Sequence, residues 1–171
     1  MKGIIIYAGK YGATAQYAQW LADTLKLPAL PAEKTRTADL SRCDVVILGS
    51  SVYVGKLVIR RWLRDHEATL AGKAILLFIV CGTSADDINA QDKIVQNNLG
   101  AAVRQAAKIF FLPGRCIISK LSWKDRLLLH FGAMLAKEPA QKAGMRSGFD
   151  RMDRKALDEL VMEVSRYSVH P

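Results

Sequence analysis

The chain has 171 residues, half of them hydrophobic, and a formal net charge of +9. That length fills one core and is short for two, so one domain over 1–171 is expected. It holds no run of eighteen apolar residues and no leader pattern, which argues against a membrane span or secretion and for a cytoplasmic protein.

The first predicted element is a strand over Gly3–Ala8, which ends in the turn Gly9-Lys10-Tyr11-Gly12-Ala13-Thr14 and runs into a helix over Ala13–Leu27. Tyr17, Trp20, Leu21 and Leu25 share one face of that helix. A short edge strand follows at Leu27–Pro31, where Pro28 and Pro31 cannot donate to a ladder. Val45–Ser50, Ala74–Val80 and Lys108–Leu112 are further apolar runs rich in β-branched residues, the last resuming at Cys116–Ile118. Continuous apolar runs mark strands covered on both faces. Between them, Lys56–Asp65 and Ala90–Ala107 read as helices, and Asp153–Tyr167 closes the chain with Leu157, Leu160, Val161 and Val164 in a stripe. The alternation predicts an α/β fold, a doubly wound parallel sheet of five strands.

Ser119–Lys137 is an extra helical insertion near the fifth strand. Ser122 and Asp125 have the spacing of a capping box, with Asp in place of Glu or Gln. Trp123, Leu127, Phe131, Met134 and Leu135 then share a face. The plain expectation is that this face packs on the sheet; the alternative is a membrane-surface or partner-binding helix. Arg115–Arg151 holds eight basic residues, among them Lys124, Lys137 and Lys142, against Asp125, Glu138 and Asp150. That surplus suits an anionic small molecule or the inner face of a membrane. Nucleic acid is disfavoured, because no aromatics interleave with the basic residues and no recognised motif is present.

Ligands of open α/β sheets sit at the carboxyl ends of the strands, where strand order reverses. Three loops should meet there: Gly9–Thr14, Ser50–Lys56 and Cys81–Ser84. Glycines and unpaired amides at a helix start, with the Thr14 hydroxyl, form a phosphate cradle. Tyr53 is the candidate for stacking on a planar heterocycle. The third loop, Cys81–Asp92, holds no aromatic residue, so a ring clasped between two aromatics is not expected. Cys81 borders the site but reads as a small buried hydrophobe. The three cysteines are odd in number and far apart, and His66, His130 and His170 form no recognisable cluster, so neither a disulfide nor a metal site is expected.

The strand and turn Ile4–Thr14, the run Asp44-Val45-Val46-Ile47-Leu48-Gly49-Ser50-Ser51-Val52-Tyr53-Val54-Gly55-Lys56, and the segment from Gly114-Arg115 through Leu121-Ser122-Trp123-Lys124-Asp125-Arg126 carry a resemblance. They resemble the flavodoxin-domain family that includes menaquinone-dependent protoporphyrinogen dehydrogenases. The resemblance implies a flavodoxin-like fold binding FMN, with Lys10, Tyr11, Gly12, Ala13 and Thr14 at the phosphate. Ser51, Val52, Tyr53, Val54, Gly55, Gly82, Thr83 and Ser84 would lie at the ring. It also implies oxidation of a tetrapyrrole precursor with a quinone as acceptor, the chemistry belonging to the cofactor with no catalytic side chain assigned. Gly9 and Ala13 stand where family turns carry serines, and each lost hydrogen bond to the charged phosphate is worth roughly 1.5–3 kcal/mol. Two other readings remain: a flavin-free interaction protein, and a soluble FMN electron carrier, against which the positive charge counts because such carriers are acidic.

Overall fold

The computed structural model describes residues 2–84, 86–135 and 139–168. Lys137, Glu138 and His170 lie outside them.

Strand β1 (Gly3–Ala8) runs into helix α1 (Ala13–Leu25), and β2 (Ala29–Pro31) returns at the sheet edge. A short helix α2 (Thr37–Ser41) leads to β3 (Val45–Tyr53), longer than expected because pairing continues through Ser51, Val52 and Tyr53. Residues Lys56–Leu57 form strand β4 and not the start of a helix. Val54 and Gly55 both take positive φ, 49° and 69°, so the chain folds back in a tight hairpin whose left-handed pair matches strand twist. Helices α3 (Arg60–Asp65) and α4 (Glu67–Leu70) then lead to β5 (Ala74–Cys81).

The helix expected over Ala90–Ala107 is two helices, α5 (Ile88–Asn98) and α6 (Ala101–Ala106), and Ala107 already opens strand β6 (Ala107–Pro113). The break has a physical cause. The Asn98 amide donates to the carbonyls of Gly55 and Ile94 and accepts from Leu57 N–H, while Leu99 is extended and Gly100 starts the next helix. Five strands run parallel in the order β2-β1-β3-β5-β6, with β4 antiparallel to the end of β3.

Successive side chains of a strand point to opposite faces, so the apolar runs fill two core layers. Ile4, Ile6, Val46, Leu48, Ile75 and Leu77 face Leu63, Leu99 and Val103. On the other side Ile5, Ile47, Leu76 and Phe78 meet Tyr17 and Leu21 of α1 and Leu160 and Val164 of the last helix. That helix, α9 (Asp158–Ser168), begins later than Asp153 because Arg154–Leu157 forms a tighter turn capped by the Asp153 carboxylate.

After β6 the chain leaves the sheet. Strand β7 (Arg115–Cys116) does not resume the fifth strand through Ile118; it pairs antiparallel with β8 (Phe149–Asp150). This ribbon closes the base of an excursion holding α7 (Trp123–Leu135) and α8 (Pro139–Ser147), neither α8 nor β8 having been expected from the sequence. Ser122 caps α7, its Oγ accepting from Asp125 N–H at 3.2 Å. The reciprocal half of a capping box is absent: the Asp125 carboxylate turns toward the sheet instead. Met145 of α8 packs over Gly132.

Candidate functional site

The loops after β1, β3 and β5 converge at the carboxyl end of the sheet around a cavity of about 100 Å³. Lys10, Tyr11, Ala13 and Thr14 line it from the first loop, Ser51, Val52 and Tyr53 from the second, and Gly82 from the third. Gly12, Val54, Gly55, Thr83 and Ser84 do not line it. Gly12 caps α1 in the left-handed region, and Val54 and Gly55 form the hairpin turn. Val80, Cys81, Gly114 and Arg115 complete the lining; Cys81 was expected to border the site, while Val80, Gly114 and Arg115 were not foreseen there. Arg115 reaches the cavity because β7 leaves the sheet beside Cys81, where Gly114 N–H donates to the Cys81 carbonyl at 2.8 Å. No short-range signal marks that contact.

The first-loop corner is built for an acceptor. Helix α1 starts at Gly12 with no side-chain cap and no acidic residue in its first turn. Its leading amides therefore point at the cavity mouth with the positive end of the helix dipole behind them. The Thr14 and Ser51 hydroxyls are buried and have no hydrogen-bond partner among the described residues. An unsatisfied buried hydroxyl costs about 1–3 kcal/mol, so two on one cavity mark a place where a ligand supplies the partner. Gly9 explains the corner's shape: a Cβ there would sit 2.6 Å from Thr14 Oγ1 and 3.6 Å from Ser51 Oγ. Glycine at position 9 leaves room for those hydroxyls, which bring two polar groups to the space a serine would enter.

Opposite that corner, three side chains gather on Asp125 of α7. Lys10 Nζ lies 2.8 Å from Asp125 Oδ2, Tyr53 OH donates to Oδ1 at 2.6 Å, and Tyr11 OH donates to Oδ2. Ser122 N–H in turn donates to Tyr11 OH at 3.5 Å. Asp125 is 5% exposed, and its hydrogen bond is the main reason the Lys10 ammonium is held above the ordinary lysine range. The carboxylate thus ties the first loop to the second. The Lys10 ammonium also sits 3.7 Å from the centroid of the Tyr53 ring. In this arrangement one face of the Tyr53 ring is taken by the cation.

Beside the third loop the structure supplies the aromatic that the loop lacks. The Phe149 ring packs onto Gly82, brought there by β8, although it does not line the cavity, and Arg151 lies over the ring, 5.1 Å from its centroid. Cys81 is buried, and burial pushes its thiol up. His66 stacks on Trp62 and bonds its carbonyl, and His130 is exposed beside Phe131.

A family model described as "Flavodoxin domain" matches residues 4–142. The chain therefore belongs to the flavodoxin-domain family, and its fold and family point to FMN as the cofactor and to an electron carrier or oxidoreductase. Solved structures similar to it include oxidised flavodoxin 2 from Bacillus cereus, at 24% identity, TM-score 0.48, covering 67% of this chain and 84% of that one. Oxidised flavodoxin 1 from Bacillus cereus is 18% identical, with TM-score 0.47, 78% of this chain and 95% of that one. Two-electron reduced Megasphaera elsdenii flavodoxin is 20% identical, with TM-score 0.47, 66% and 83%. No curated protein matches the chain. The assignment rests on the family model and on a strand order that, once the short β4 is set aside, is the 2-1-3-4-5 order of flavodoxin-like sheets.

The residues present fit that cofactor at its phosphate end: amides of α1 and two buried hydroxyls with no partner among the described residues. The enclosed volume is below the roughly 300–1,000 Å³ of small-molecule sites. No described helix is long and apolar enough to cross a membrane.

Proposed function

We propose that this flavodoxin-domain protein is an FMN-dependent oxidoreductase acting on an anionic, carboxylated tetrapyrrole-like substrate with a quinone as acceptor, in the manner of a protoporphyrinogen dehydrogenase. The observation that carries the flavin part of the reading is the pair of buried hydroxyls of Thr14 and Ser51, without a partner among the described residues, beside the uncapped start of α1. When bound, FMN supplies the one- and two-electron chemistry. The chain's own residues bind and orient: Thr14, Ser51 and the α1 amides take the phosphate, and Tyr53 offers one ring face. Arg115 supports the choice of substrate. It lines the cavity with only 26% of its side chain exposed, and its ion pair with Asp150 is long, at 3.8 Å, so a substrate carboxylate at the cavity competes for the guanidinium. The net charge supports the same class of substrate and separates the chain from acidic carriers.

The test begins with the absorbance spectrum of the purified protein, before and after loading with FMN and removal of the excess. Flavin bands are expected to persist, and Thr14→Val is expected to weaken FMN about tenfold or more, beyond any other single loop change. Ser51→Ala should follow closely. Absence of bands after loading overturns the flavin part and leaves an interaction protein. Retained flavin without quinone-linked oxidation of protoporphyrinogen leaves an electron carrier.

A further inference from the structure

Five of the nine large hydrophobic side chains exposed among the described residues lie on α7: Trp123 at 72%, Leu127 at 49%, Leu128 at 43%, Phe131 at 53% and Met134 at 61%. Trp123, Leu127, Phe131 and Met134 recur at helical spacing and form one outward row. The inward side of the helix carries Asp125 and Ala133, both buried. The sheet is therefore not what this row covers.

We propose that the outward face of α7 docks on an anionic lipid bilayer surface, lying in the headgroup plane with its apolar row inserted. The charges around the row choose that occupant. Lys124 and Arg126 flank the row on α7 and Lys120 just precedes the helix, all three exposed, while of the described carboxylates between 115 and 150 Asp125 is buried on Lys10 and Asp150 pairs with Arg115. The surface beside the row is thus cationic without a free local countercharge among the described residues. A second copy of the chain would bring the same cations face to face, which opposes self-association. An apolar row bordered by Lys and Arg, with a tryptophan at its start, suits the boundary between headgroups and acyl chains. The proposal stands apart from the flavin reading, since neither Trp123 nor Phe131 lines the cavity.

The experiment is flotation of the full chain with vesicles of phosphatidylcholine alone or with one-third phosphatidylglycerol, at low and high salt. Anionic vesicles are expected to bind about tenfold or more tightly than neutral ones, with loss of the difference at high salt. Trp123→Ser with Phe131→Ser should remove binding while leaving the melting temperature unchanged. Lys120→Glu with Lys124→Glu tests the charges separately and should weaken only the anionic preference. Equal binding to both vesicles, or binding indifferent to both pairs of changes, overturns the proposal. So does a concentration-dependent dimer that the serine pair abolishes, which would give the face to a second copy, or unfolding by the serine pair, which would make the row core. Because flavin retention is read independently from the spectrum, failure here leaves the cofactor reading untouched.

Discussion

Helices α1 and α7 are each thirteen residues long and each carries an apolar row, but the two rows turn opposite ways. In α1 the row is the inward face: Tyr17, Ala18 and Leu21 are fully buried against the sheet. In α7 the row is the outward face, and a carboxylate points inward, held by Lys10, Tyr11 and Tyr53. One helix is bound by the hydrophobic effect and the other by polar contacts at a functional loop. An amphipathic pattern therefore tells where a helix divides, not which side meets the protein. The side is decided by what the neighbouring surface offers, and at the carboxyl end of this sheet it offers hydrogen-bond donors.

The largest expected effect separates the two helices by stability. Leu21→Ala removes a fully buried side chain from α1 and should cost about 2–5 kcal/mol. Trp123→Ser with Phe131→Ser, larger deletions by volume, should stay within roughly 0.5 kcal/mol because both side chains are more than half exposed. Denaturant melts of the two variants check this. Comparable losses would mean that α7 is packed as α1 is, and the contrast would collapse.

The next effect concerns the anchor. Asp125→Ala leaves two tyrosine hydroxyls and an ammonium without their acceptor, at about 1–3 kcal/mol; Lys10, 40% exposed at its side chain, can turn to water and keeps the cost at the lower end. Asp125→Asn retains one acceptor oxygen and should lose less. Hydrogen exchange in Trp123–Leu135 should quicken in the alanine variant, while exchange in Ala13–Leu25 stays unchanged. Equal quickening in both helices would show that the carboxylate supports the whole domain and not α7 in particular.

How much of this was legible follows from the range of the interactions. The strands Gly3–Ala8 and Ala74–Val80 could be read because their apolar runs record burial on both faces, a property of each residue's own surroundings. The cradle Gly9–Thr14 was legible as a turn before a helix. The split at Leu99 and the hairpin at Val54-Gly55 were not, since the first depends on Asn98 reaching a loop forty-three residues away, and the second puts a β-branched valine at positive φ against its local preference. Arg115 at the cavity and Phe149 on Gly82 come from the β7–β8 ribbon, two residues of pairing whose partners are remote in sequence. Asp125 was read as a cap because its spacing from Ser122 fits one; only the fold brings Lys10 and both tyrosines within its reach. Gly9 was read as a lost hydroxyl, and the structure gives it the opposite sense, as room for two others.

The smallest effect tests whether a buried carboxylate holds an inward helix as it holds α7. Glu163 of α9 pairs with Lys108 of β6 and, at 2.9 Å, with Arg166, and the Lys108 hydrogen bond is the main cause holding its carboxyl below the usual range. A depressed carboxylate stabilises the fold above its unfolded pKa of about 4.3 and loses that contribution as pH falls through its lowered folded value. Glu163→Gln should therefore melt slightly lower than the parent at neutral pH and converge with it in acid, where the parent's carboxyl is protonated too. Because Leu160 and Val164 bury α9 on either side of Glu163, the gap should be small at every pH. A gap that persists unchanged into acid would trace the loss to packing. A gap at neutral pH as large as that of Asp125→Ala would show that α9, for all its apolar contacts, is anchored by charge in the same way as α7.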